Sequence, residues 1–498
     1  MQNTVKQYKA ILAKRNALSH AMGVLSYDSE TAMPKNGAPH MAETMAILSE
    51  ESYKLQVNEE VRGLLNKLNA NSESLDEITR REVEEELKQL KKLENVPIEE
   101  YAAYSRLISE ASVKWREAKQ TNDYPLFKPY LERIIAAQKS LMAHMYPGKD
   151  TYDALLEEFS EGLSVEMLDP FFANVKAKLV PVIHAVCQSG NQADDSLLHR
   201  PFPIEGQRRL SSFVMDFLGI DRDSCVIGEV EHPFTTEFNK HDVRLTTHYH
   251  EDDVLSNMFS VAHEGGHCLY ELNIGDELIG SPLSGGATMT LHESQSRLFE
   301  NMICRSREFI ALLYPKMKEI FPEQMQGVSE EMLYRAANKS MPSLIRTEAD
   351  ELTYPLHIMV RYEIEKKLIA GTLSVDELPA EWNRLYKEYL GVDVPDDTHG
   401  CLQDIHWAMG DMGYFPSYAL GSAYSAQAVD DLRKTMDLDA QWAEGNMQPL
   451  KDALRSRVWQ HGRAKEPQWL VQSLCGGAFD AAHYTNYLKN KYTELYGL

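Results

Sequence analysis

The sequence predicts a mainly α-helical protein with one small β-sheet. Three observations lead there: helical spacing of apolar residues through long stretches, strand signals confined to residues 225–250, and no composition shift along the 498 residues. Between 75 and 95, Val83, Leu87 and Leu90 recur at helical spacing among Glu and Lys. Leu93 continues that face and Pro97 ends it. Residues 98–119 carry a second such pattern, with Tyr101, Tyr104, Leu107, Ile108, Val113 and Trp115. The two read as an antiparallel helical pair, part of an N-terminal helical lid region spanning roughly 1–130. The best strand signals are CVIGEVEHPFTTEF and DVRLTTHY, rich in Val and Thr, the second alternating apolar and polar residues. They predict a hairpin or small sheet just before the segment that carries the chemistry. With no repeat, low-complexity tract or long linker, residues 1–498 are read as a single domain.

Composition narrows the function. The chain is 43% hydrophobic and 25% charged, and no apolar run of about 18 residues marks a membrane span. A formal net charge of -24 repels phosphates, so neither nucleic acid nor an anionic membrane is an expected partner. The six cysteines are scattered without a CxxC pair, as expected of reduced thiols, and the N-terminus lacks the apolar stretch of a secretory signal. A cytoplasmic location is the expectation.

The decisive segment is DDVLSNMFSVAHEGGHCLYELN, residues 252–273, which Asp252 or Asp253 can cap as a helix. His263 and His267 stand four residues apart, about 400° of helical rotation, so both imidazoles leave one face. Zinc takes nitrogen ligands in a tetrahedral arrangement, and two histidines at this spacing supply half of it. Glu264 lies between them, placed to take a proton from an attacking water and pass it to a leaving amine. Gly265 and Gly266 each cost a helix interior about 1 kcal/mol relative to Ala. They point to another backbone, a substrate or a tightly packed helix in close approach.

A third ligand is needed. Glu293, in TLHESQSRLFENMICRSREF, follows His267 by 26 residues at the head of a helical pattern. It completes a two-His, one-Glu catalytic set that leaves a position open for water. His292 is the competing ligand. Glu300, two turns on, either orients a ligand or pairs with Arg297.

Six ordered segments carry a family resemblance: HPF (232–234), DVRLT (242–246), HEGGH (263–267), HESQ (292–295), IRTEAD (345–350) and GCLQDIHW (400–407). Together they resemble the carboxypeptidase Taq family of metallocarboxypeptidases, over most of the chain. The resemblance implies a large helical fold with a deep substrate cleft, similar to neurolysin and the angiotensin-converting enzyme. It implies zinc, or cobalt in its place, on His263, His267 and Glu293, with Glu264 as general base. It also implies release of single residues from the free C-terminus of peptides, by a homodimer. Two segments depart from the family pattern: Tyr27 opens YDSETAMP where the family has Trp, and Leu298-Phe299-Glu300-Asn301 stands where it often has LWEN.

A carboxypeptidase must hold an α-carboxylate, which arginine does best. Arg346 and Arg244 are the candidates. The competing reading pairs Arg244 with Asp242, and Arg346 with Glu348 or Asp350. His406, oriented by Asp404, and Tyr418 are candidate donors to the developing oxyanion. His232 and His248 are further polar candidates in the strand region, His232 for substrate binding. Trp407, Tyr414 and Phe415 read as packing. An internally cutting oligopeptidase, and a catalytically silent metal-stabilised scaffold, are the alternatives.

Overall fold

The computed structural model describes residues 1–498. Six helices come first: α1 (Gln2–Thr31), α2 (Ala38–Gln56), α3 (Glu59–Asn69), α4 (Glu77–Glu94), α5 (Ile98–Thr121) and α6 (Tyr124–Met145). Then α7 (Thr151–Phe159), α8 (Val165–Gln188) and α9 (Ile204–Leu218) lead to β1 (Cys225–Glu229), β2 (Thr235–Asn239) and β3 (Asp242–Thr247). After the strands come α10 (Val254–Leu272), α11 (Met289–Arg297), α12 (Arg307–Ile320), α13 (Glu330–Ala337), α14 (Tyr354–Ala370), α15 (Leu378–Leu390) and α16 (Pro416–Leu432). The chain closes with α17 (Leu438–Ala443), α18 (Gln448–Arg457), α19 (Pro467–Cys475) and α20 (Ala482–Tyr496). A mainly helical architecture beside one small sheet is what the periodicities predict. No helix is long and apolar enough to cross a membrane.

Two cores form. One joins 110 buried residues from Leu107 on α5 to the C-terminus. The other has eight, Tyr8 and Leu12 on α1 with Val61, Leu65, Leu68, Leu75, Val83 and Leu90. The segment with its own core therefore ends at α4, and α5 and α6 belong to the main body. The expected pairing of residues 75–95 with 98–119 is corrected here: α5 packs along α6, while α4 packs against α3 and α6. Periodicity marks an apolar face without naming the helix that covers it.

The sheet has the order β1-β3-β2. β3 pairs with β2 antiparallel, as a hairpin would, and with β1 in parallel. Its inner residues Val243 and Leu245 are fully buried, and β3 and β2 lie against α10. α10 starts where the Asp253 side chain accepts from the Ser256 N–H at 3.1 Å, supplying a partner for a helix-terminal donor. α11 packs between α10 and α16.

Two glycines set those contacts. A Cβ on Gly266 would lie 2.6 Å from both the carbonyl oxygen of Gln295 and Cα of Ser296, so its absence lets α10 and α11 touch backbone to backbone. A Cβ on Gly421 of α16 would lie 2.7 Å from Cγ of Glu293.

Candidate metal centre

α10 and α11 bring His263, His267 and Glu293 together, with one ligand atom from each lying within 4.8 Å of the others. The atoms that converge are Nε2 of both rings and Oε2 of Glu293, at 3.8 Å and 3.7 Å. Tetrahedral bonds of about 2.0–2.1 Å place donor atoms about 3.4 Å apart, so the donor set fits a zinc-sized ion.

Every other ligand atom is engaged from behind. Nδ1 of His263 faces Oε2 of Glu300 at 2.9 Å. Nδ1 of His267 faces Nδ1 of His292 at 2.8 Å, and Nε2 of His292 meets Oε1 of Glu271 at 2.7 Å. Oε1 of Glu293 accepts from Nε of Arg297 at 2.6 Å. His292 thus stands behind a ligand. Glu300 does both things weighed for it, since Arg297 also donates to it at 3.2 Å. Burial opposes ionisation of Glu300, but Arg297, His263 and Arg305 hold its carboxyl well below the usual range.

Glu264 is buried beside these groups, and its Oε2 accepts from the Thr235 hydroxyl at 2.7 Å. Burial raises its pKa above the ordinary carboxylate value, against the lowering effect of His263 and of the Thr235 hydrogen bond. The Glu264 carbonyl lies 3.0 Å from the same hydroxyl and shares its one proton, tying β2 to the helix.

A second polar group flanks the metal site. Arg346 donates to Oδ1 of Asp404 through Nε at 2.9 Å and Nη2 at 2.8 Å, and to the Tyr354 hydroxyl through Nη1 at 3.1 Å. Of the five guanidinium N–H donors, one on each terminal nitrogen stays free. Its ion-pair partner is therefore Asp404, not the Glu348 or Asp350 of the competing reading. Asp404 also accepts from Arg361 at 2.7 Å, and the two arginines keep this buried carboxylate ionised against burial. Asp404 makes no hydrogen bond to His406, so its expected role in orienting that ring is corrected as well: two residues apart, the pair would need an irregular backbone to meet. His406 instead faces the Tyr418 hydroxyl from Nε2 at 3.3 Å, and its buried Nδ1 has no partner. Burial, then the charge of Arg346, push the His406 pKa down to about 4, leaving a neutral ring at neutral pH.

Arg244 closes onto Asp242 with two hydrogen bonds, at 2.9 Å and 3.0 Å, and lies over Phe238 and Tyr27. His232 is exposed ahead of β2. His248 bonds the Ser256 hydroxyl at 2.6 Å. Of the expected packing residues, Trp407 and Phe415 are buried, and Tyr414 stacks on His406.

Sequence reasoning missed Thr235, Glu271, Tyr354 and Arg361. Only Glu271 left a signal: residues 263, 267 and 271 recur every fourth position along one helix face.

A two-His, one-Glu donor set with a buried carboxylate beside it, on packed helices, defines a helical metallopeptidase. The chain belongs to the carboxypeptidase Taq (M32) metallopeptidase family, whose model matches residues 7–492, and is a metallocarboxypeptidase. It is 40% identical over 492 residues to Carboxypeptidase 1 of Bacillus subtilis (strain 168), covering 99% of this chain and 98% of that protein. It superimposes on the crystal structure of an M32 carboxypeptidase from Deinococcus radiodurans R1 with a TM-score of 0.96, at 33% identity and 100% coverage of both chains. A Pyrococcus furiosus carboxypeptidase structure gives a TM-score of 0.94 at 33% identity, covering 98% of this chain and 99% of that one.

Proposed function

We propose that this metallocarboxypeptidase holds zinc on His263, His267 and Glu293 and releases single residues from the free C-terminus of peptides, with Glu264 as general base. The supporting observation is that three ligand atoms converge while the reverse side of each ligand is engaged by Glu300, His292 or Arg297. Nitrogen and carboxylate donors suit zinc, and cobalt can take the same set. A divalent metal held there supplies Lewis acidity to the scissile carbonyl and to water.

The protein groups do the rest. Glu264 takes the water's proton and returns it to the leaving amine, its carboxylate steadied by the Thr235 hydroxyl. The two free N–H groups of Arg346 bind the terminal carboxylate, with Asp404 and Tyr354 fixing the guanidinium plane. The Tyr418 hydroxyl, beside neutral His406, donates to the oxygen that gains charge. Arg244, closed onto Asp242, and exposed His232 are second to Arg346 as substrate contacts. Six free cysteines fit a cytoplasmic enzyme, and family membership supports a homodimer, which sedimentation would test.

The decisive comparison is one peptide as free acid and as C-terminal amide, followed by mass spectrometry with zinc-loaded enzyme and with Glu264→Gln. Stepwise C-terminal loss from the acid alone, absent in the variant, is the expected result. Internal cleavage of both peptides would replace this reading with an oligopeptidase.

A further inference from the structure

A cavity of 920 Å³ opens between α1, β2 and residues 279–284. Asn16, His20, Thr236, Phe238 and Ser281 help to line it. Glu237 is its one carboxylate, and no lysine or arginine lines it. The Glu237 carboxylate takes a hydrogen bond only from its own backbone N–H. Solvent reaches it although protein surrounds it, as for a group in a cleft wall. Burial and the nearby charge of Glu271 push its pKa up to about 7, a cost that an incoming cation would relieve. The neighbouring charges are committed elsewhere: Glu271 accepts from His292 and from the Gly286 N–H, and Arg463 donates to the Gly286 carbonyl at 3.0 Å.

The backbone beside Glu237 is also unpaired with β3. Thr246 N–H donates to the Phe234 carbonyl at 2.9 Å, which makes 234/246 a hydrogen-bonded pair and 236/244 the next. Thr235 and Glu237 fall between them, so their N–H and C=O groups point away from β3. β2 is the outer strand, and that edge is open to an extended peptide.

Arg346 and Glu237 are reached from different ligands of the candidate metal site. From His263, contacts run through Glu300 and Arg297 to Tyr354 and Arg346. From His267 they run through His292 and Glu271 toward Glu237. A peptide whose terminal carboxylate meets Arg346 therefore carries its upstream residues toward Glu237. We propose that Glu237 is a specificity residue that binds the cationic side chain, lysine or arginine, of a substrate residue on the N-terminal side of the bond to be cut. The direction of the bound peptide rests on the carboxypeptidase reading above. The net charge of -24 adds a general attraction for such substrates.

The test titrates zinc-loaded Glu264→Gln protein calorimetrically with alanine hexapeptides. Each carries one lysine, moved in turn through the four positions before the terminal residue, and is compared with norleucine at the same place. Lysine should bind about tenfold more tightly at one position. Adding Glu237→Gln should bring the lysine-to-norleucine ratio to about one, and Glu237→Lys should turn the preference toward glutamate there. Equal binding of lysine and norleucine throughout, a lysine preference that survives Glu237→Gln, or no peptide binding overturns the proposal. Trimming of the same peptides by the wild-type enzyme separates the two readings. Trimming without preference removes the role of Glu237 alone, whereas preference without trimming removes the carboxypeptidase reading and leaves the cation site.

Discussion

His267 and His292 meet nitrogen to nitrogen, Nδ1 to Nδ1 at 2.8 Å, and only one proton can lie between them. Because Nε2 of His267 turns toward Glu293, its lone pair belongs there and its proton sits on Nδ1. His292 accepts on Nδ1 and donates from Nε2 to Glu271. His292 thus positions the ring of one candidate ligand, as Glu300 does that of the other. His292→Phe should weaken metal affinity about 10–100-fold, read by competition with a chelator. His292→Asn, which keeps an acceptor and a donor, should recover part of the loss. Unchanged affinity in both variants would dismiss the role.

Glu264→Gln should lower the rate of C-terminal release by about 10²–10⁴-fold while bound zinc stays stoichiometric. Elemental analysis beside a peptide assay checks both halves. Loss of the metal would show that Glu264 supports the ligands rather than the proton transfer.

Gly266→Ala drives a methyl group into the backbone of α11 at 2.6 Å. The expected loss is about 1–3 kcal/mol of stability, together with weaker metal binding as α10 and α11 move apart. Gly265→Ala meets only the side-chain ends of Leu218 and Ile220 and should cost less. Urea unfolding of the two variants ranks them, and the reverse order would refute the packing argument.

Asp404 is the shared partner of Arg346 and Arg361. Asp404→Ala leaves two buried guanidinium groups without their carboxylate, an expected loss of about 3–5 kcal/mol. Peptide affinity should fall with it, because Arg346 loses its hold. A variant as stable as wild type, measured by chemical denaturation, would contradict the pairing.

His406 makes stability depend on pH. Arg346 and Arg361 disfavour its charge and Asp404 favours it, with burial the largest influence and a folded pKa of about 4. The unfolded ring takes up its proton near pH 6.5, at about its model-peptide value. The stabilisation is therefore complete above the unfolded value and is lost as pH falls through about 4. Between those limits it should contribute a slope approaching about 1.4 kcal/mol per pH unit, absent from His406→Gln. Unfolding curves stepped from pH 7 to pH 4.5 compare the slopes, and parallel curves would rule the effect out.

The centre was legible where one short segment carried the geometry. Four-residue spacing put His263 and His267 on one face, and the two helix-interior glycines signalled a close approach that Gly266 makes. Glu293 needed only a second helix. What stayed hidden depends on pairings distant in sequence. Arg346 and Asp404 are brought together by folding alone, and a local reading offered Glu348 and Asp350 as nearer partners. The covering partner of α5 and the parallel pairing of β1 with β3 were hidden likewise, since alternation and periodicity say which side of an element is apolar and nothing about its neighbour.

The eight-residue core beneath α1, α3 and α4 has a consequence for motion. It joins far less apolar surface than the 110-residue core that holds α10 and α11. Amide hydrogens of the N-terminal helices should exchange through partial openings that leave α10 and α11 protected. Asn16 and His20 sit on α1, so one wall of the cavity beside Glu237 belongs to the layer that opens at the lower free energy. Breathing of that wall should therefore leave His263, His267 and Glu293 undisturbed.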